Sequence, residues 1–132
     1  MDKQKIEQAV HFAANVGPVC IATVDNQGMP HVDAAGQIDL GAEDNVYLTR
    51  CFGPQTLMDL KQNDHIAVLI WNEQSQDGYQ LIGQCSKIEE ISEHGETQEM
   101  FDAEQAYYKG EQRLTVHVDK VSELKQKSSS GA

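Results

Sequence analysis

The sequence has no apolar run approaching the ~20 residues that a membrane helix needs. Its opening segment, MDKQKIEQAVHFAANVG, is amphipathic and lacks the apolar stretch of an export signal. A cytoplasmic location is expected. The three cysteines, Cys20, Cys51 and Cys85, are odd in number, far apart and form no CxxC pair. That pattern argues against a disulfide framework or a zinc cluster, and they read as reduced thiols, two of them in apolar strands. Basic residues are also scarce: ten Lys plus Arg face 21 Asp plus Glu, a formal charge of −11. Such a surface repels phosphate backbones and anionic membranes, so neither nucleic acid nor lipid is an expected partner. The five histidines show no HxH or HExxH spacing, and no metal site is expected. GxSxG, P-loop and GxGxxG patterns are missing too, which removes the commonest hydrolase, NTPase and dinucleotide signals.

What is present is the composition of one soluble domain: 132 residues, 39% apolar and 23% charged. Residues 1–124 read as that domain, and 125–132 (KQKSSSGA) as a polar tail without an apolar anchor. Ile6, Ala9, Val10 and Ala13 recur at helical spacing until Gly17-Pro18 ends the pattern. VCIATV (19–24), the turn Asp25-Asn26-Gln27-Gly28 and a run from Pro30 to about Ile38 form a β-hairpin. VYLT (46–49) is a third strand, and IAVLIW (66–71) a fourth that looks buried on both faces. Between them lies a short helix from Pro54 to about Gln62. A long fifth strand, Tyr79 to about Ile91, carries Gly83 where strands bend or bulge. A second short helix is expected over Glu96–Tyr108, and Leu114–Val121 alternates as a sixth strand. Without βαβ alternation, the expected fold is mainly β: a six-stranded antiparallel barrel or sandwich with an N-terminal helix and two short inserted helices.

Two segments carry chemistry. In TRCFGPQT (49–56) a strand runs into a helix that opens with Pro54, which leaves the N–H groups of Gln55 and Thr56 unpaired at the helix start. With Arg50, one of two arginines, and the Thr56 hydroxyl alongside, this is either an anion seat or an ordinary strand-to-helix link with Arg50 paired to a surface carboxylate. In HVDAAGQ (31–37) the small residues Ala34, Ala35 and Gly36 forfeit side-chain packing. They mark either the close approach of a flat ligand or a poorly packed edge strand. Glu89 to Glu104 holds seven acidic residues with no Lys or Arg and reads as a solvated face.

The order GPVCIAT, DNQGMPHV, VYLTR, LMDLKQND, HIAVLIW and LIGQCSKI, spanning about residues 6 to 91, resembles the pyridoxamine-phosphate-oxidase-like flavin-binding split barrels. In particular it resembles their small stand-alone bacterial FMN-binding members. The resemblance implies a six-stranded split barrel, a homodimer and FMN held at the dimer interface. By that analogy Asp33, Ala34 and Ala35 face the flavin ring, Thr49, Arg50, Gln55 and Thr56 surround the phosphate, and Trp71 and Tyr79 lie near cofactor or partner. The implied activity is an FMN-dependent oxidoreductase or electron-transfer protein, with no catalytic side chain identifiable. One departure stands out: FMN-binding members usually carry a basic run where this chain reads Gly53-Pro54-Gln55. Losing a charge-assisted contact to a dianion costs about 1–3 kcal/mol unless Arg50 compensates. The alternatives are haem or a deazaflavin in the same cleft, or a cofactor-free regulatory dimer that uses the acidic stretch.

Overall fold

A computed structural model describes residues 3–51, 53–91, 97–99 and 111–125. The elements are α1 (Lys3–Ala13), β1 (Val19–Val24), β2 (Pro30–Leu40), β3 (Asn45–Cys51), α2 (Pro54–Gln62), β4 (His65–Asn72), β5 (Asp77–Ile91), β6 (Thr97–Glu99) and β7 (Glu111–Lys125). All pairings are antiparallel, in the order β4-β1-β2-β3-β7-β5, and β5 pairs back to β4 to close a six-stranded barrel. The short β6 adds to β5 beyond the end of β4.

Alternation along the strands fills the barrel. Val19, Ile21, Val46, Leu48, Ile66, Val68, Ile70, Leu81, Leu114, Val116 and Val118 are all buried inside it. α1 covers one end with Ile6, Ala9 and Ala13, and α2 covers the other with Leu57 and Leu60. The hairpin turn is held by Asp25, whose Oδ1 accepts from the N–H groups of Gln27 and Met29, and by Gly28 in the left-handed region at φ 85°. The β5–β7 ladder slips register between Ile82 and Gly83, as the glycine led us to expect. A Cβ on Gly83 would lie 2.0 Å from the His117 carbonyl oxygen, so no side chain fits where the strands close.

Several expectations need correction. β4 is not buried on both faces: Ile66, Val68 and Ile70 point inward while Leu69 is exposed. Cys20 likewise faces outward and is exposed. Within the expected second inserted helix, Thr97–Glu99 is a strand paired with Glu89–Ile91, and 100–108 lies outside the described residues. Glu89 is not part of a solvated face, because it is buried and Nη2 of Arg113 donates to it at 3.0 Å. Arg113 also stacks over the Tyr47 ring at 4.4 Å, so β7 supplies the cation that the acidic stretch lacks. Lys125 belongs to β7, and the rest of the expected tail lies outside the described residues. Among the described residues, no helix is long and apolar enough to cross a membrane.

Candidate functional site

The end of the barrel under α2 carries polar side chains in place of a dry core. Because antiparallel partners share a face, Ile21 opposite Asp33 and Thr23 opposite His31 turn two polar residues of β2 inward beneath the helix. α2 answers with Gln55, Thr56 and Asp59 on the face that meets them. Asp59 is 1% exposed and accepts from the Thr23 hydroxyl at 2.8 Å, the His31 ring Nδ1 at 2.7 Å and the Gln55 amide at 2.8 Å. Burial works to raise the Asp59 pKa, but the Gln55, Thr23 and His31 bonds and the nearby imidazole outweigh it, so the carboxyl is held below its ordinary value. An ionised carboxylate only accepts, which places the His31 ring hydrogen on Nδ1 and leaves Nε2 as the open atom.

Asp33 makes the reciprocal contacts. Its Oδ2 accepts from the Gly53 N–H and the Thr56 hydroxyl, each at 2.8 Å, and its Oδ1 accepts from the Ala34 N–H at 2.8 Å. The helix start has no cap from its own N-cap residue Gly53, so a carboxylate from β2 caps it from outside. A carboxylate of the chain itself therefore takes the Gly53 N–H and the Thr56 hydroxyl at the helix start. Gln55, expected beside a phosphate, donates instead to Asp59.

Arg50 stands apart from this cluster. Its backbone lies in the left-handed region at φ 60°, and its stem crosses Gly36, where a Cβ would come within 2.9 Å of the Arg50 Cβ and 3.1 Å of its Cδ. Along β2 the inward alternation slips between the buried Ala35 and the buried Ile38, and Gly36 takes up the slip. The Arg50 head is exposed, with Nε 3.5 Å from Glu111, the surface pairing foreseen as the plainer alternative. A pair of this kind contributes about 0–1 kcal/mol and leaves the guanidinium free to exchange partners.

The other expected residues scatter. Ala35 is fully buried between Val19 and Cys51, so of the small residues Ala34 and Gly36 are the ones reaching the outer face. β2 is also not an edge strand, being paired on both sides. Thr49 sits in the ladder between Gln37 and Arg113. Trp71 lies at the α1 end of β4, on a shallow cleft of about 460 Å³ with Asn15, Val16 and Pro18. Tyr79, also at that end, meets Phe12 edge to face at 5.3 Å, and burial, then Glu123 and Asp77, raises its pKa. Sequence reasoning missed Asp59 and His31. Thr23, His31 and Asp59 are far apart in the chain, and only strand pairing under a helix brings them together.

The outer face of β4, β1 and β2 is small and apolar. Cys20 lies opposite both Ala34 and Leu69, and Ala22 opposite both Val32 and Ala67. Val32 is 76% exposed and Leu69 39%. In a chain of charge −11 this is an apolar patch without a charge of its own, bordered by Arg50 and Gly36. Among the described residues, no cluster of three or more His, Cys, Asp or Glu is placed to hold a metal ion.

A six-stranded antiparallel barrel closed by two helices, with an apolar outer face on β1 and β2, is the split-barrel class. The family model of pyridoxamine 5'-phosphate oxidase matches residues 6–128, and the chain belongs to that family. No curated protein matches it. Among solved structures, HupZ of Group A Streptococcus is similar at 16% identity and TM-score 0.67, over 90% of this chain and 93% of that one. An FMN-binding protein from Syntrophomonas wolfei subsp. wolfei is similar at 14% identity and TM-score 0.67, over 97% and 91%. HutZ, the heme storage protein from Vibrio cholerae, is similar at 13% identity and TM-score 0.58, over 91% and 92%. At such identities these likenesses define the fold alone.

Proposed function

We propose that the protein is a homodimer that binds a flat conjugated ligand of the flavin class on the outer face of β1 and β2, and serves redox chemistry through it. The observation that carries this reading is the flat face itself: Cys20, Ala22 and Ala34 present only short side chains between the protruding Val32 and Leu69, with Arg50 at the border. Membership of the pyridoxamine 5'-phosphate oxidase family supports it, as does the likeness to an FMN-binding protein. A flavin bound there would supply the electron transfer. This chain's own residues would shield the ring from water through Val32 and Leu69 and lend a cation through Arg50. Burying that face against a second copy removes an apolar patch that a monomer leaves in water.

The test is the visible spectrum of the purified protein, followed by riboflavin titration and sedimentation. Saturable quenching of flavin fluorescence by a dimer is expected. Val32→Lys with Leu69→Glu should produce monomers that bind at least ~10-fold more weakly. A wild-type protein that is monomeric and never saturates overturns the reading.

A haem-type ligand is the second reading, favoured by one observation. The His31 imidazole is fixed on Asp59, its side chain is 32% exposed, and among the described residues no partner meets its Nε2. The likeness to a heme storage protein supports it. A Soret band on hemin titration that is lost in His31→Ala would bear it out, and an unchanged band would refute His31 as ligand.

A further inference from the structure

The start of α2 is where a strand-to-helix link best accommodates a phosphate: free N–H groups, a hydroxyl and the positive end of a helix dipole converge there. In this chain a carboxylate of the protein already stands at that place. The Gly53 N–H and the Thr56 hydroxyl both donate to Oδ2 of Asp33, and the Ala34 N–H donates to Oδ1. Lodged between strand and helix, the carboxylate both takes the hydrogen bonds and supplies the negative charge that the helix start favours. Gln55, next along the helix, contributes no cation and is turned toward Asp59. The Arg50 stem lies over Gly36, outside this cluster, with its head toward Glu111.

We propose that Asp33 is a specificity-determining residue that excludes phosphate monoesters from the helix start, so that the chain selects a non-phosphorylated ring ligand over its phosphorylated counterpart. This inference rests on the flavin reading and deepens it by naming the ligand class. A phosphate dianion entering this place must displace a carboxylate with three satisfied acceptor contacts. If it does not displace it, two like charges share one partly buried place. Neither route is open to riboflavin, which brings no charge.

The experiment compares riboflavin, FMN and inorganic phosphate on the full chain and on Asp33→Asn. For the wild type, riboflavin is expected to bind at least ~10-fold more tightly than FMN, and FMN binding as tightly as riboflavin, or more tightly, overturns the proposal. Asp33→Asn keeps the size of the side chain and removes its charge. It should strengthen FMN binding at least ~10-fold with little change for riboflavin, and an unchanged ratio overturns the proposal. If neither flavin binds, the flavin reading fails, and inorganic phosphate then tests Asp33 by itself. Phosphate should raise the melting temperature of Asp33→Asn and not of the wild type, and equal stabilisation of both counts against the proposal. The wild-type ratio needs no variant to fold.

Discussion

Replacing Asp59 by Ala removes the acceptor on which Thr23, His31 and Gln55 converge, and the cost follows from where each donor is left. Thr23 is 1% exposed, so its hydroxyl has no route to water and loses about 1–3 kcal/mol as an unsatisfied buried group. The His31 side chain is 32% exposed and Gln55 is exposed, so both can turn to water, at about 0–1 kcal/mol each. The total, about 1–5 kcal/mol, is a large part of the stability of a domain of this size, and its middle value corresponds to a melting temperature lowered by roughly 10 °C. Urea unfolding followed by circular dichroism measures it. Asp59→Asn adds a pH signature, since the amide does not titrate. The folded-state pKa of Asp59 lies below its unfolded value, so the carboxylate's contribution is complete above about pH 4 and lost as pH falls through the folded value. The stability gap between wild type and Asp59→Asn should therefore close in acid. A loss under ~0.5 kcal/mol in the Ala variant, or a gap that widens below pH 4, would refute the account of this cluster.

Gly83→Ala places a Cβ 2.0 Å from the His117 carbonyl oxygen, which belongs to the backbone of the partner strand, and should destabilise by about 3 kcal/mol in urea unfolding. Gly36→Ala meets the Arg50 side chain instead and should cost less, about 1 kcal/mol; equal costs would show that the barrel closure at Gly83 is not rigid. Burial, reinforced by Asp64 and partly offset by the Lys87 backbone, pushes the Cys85 thiol up to about 11. At pH 8 only about one molecule in a thousand then carries the thiolate there, so peptide mapping after thiol labelling should find exposed Cys20 modified well before Cys85. Labelling of both at one rate would contradict the burial of Cys85.

Much of the frame was legible in the chain because it depends on local rules. Helical spacing ended by Gly17-Pro18 marks α1, and Pro54 marks the first turn of α2, whose expected span of Pro54 to Gln62 is the span observed. Gly83 announced a bend because a residue without Cβ in mid-strand has few other uses. The failures share one cause: they concern what a side chain faces, which depends on residues distant in sequence. Leu69 in an apolar run points outward, and Glu89 in an acidic run points to Arg113. At the helix start the sequence left an anion seat and an ordinary link both open, and the Asp33 carboxylate that accepts from Gly53 and Thr56 there was not foreseen.

By itself the sequence determined that this is an acidic chain of antiparallel strands with an N-terminal helix and a short helix after the third strand, because hydrophobic period, glycine position and charge count act over short distances along the chain. Only the tertiary structure decided which groups meet. Pairing β2 with β1 turns His31 and Asp33 inward, and seating α2 on that end joins them to Asp59, Gly53 and Thr56. The physical reason is that hydrogen bonds and charge interactions act over a few ångströms of space. Residues 20 to 36 positions apart become neighbours only once the strands are in register.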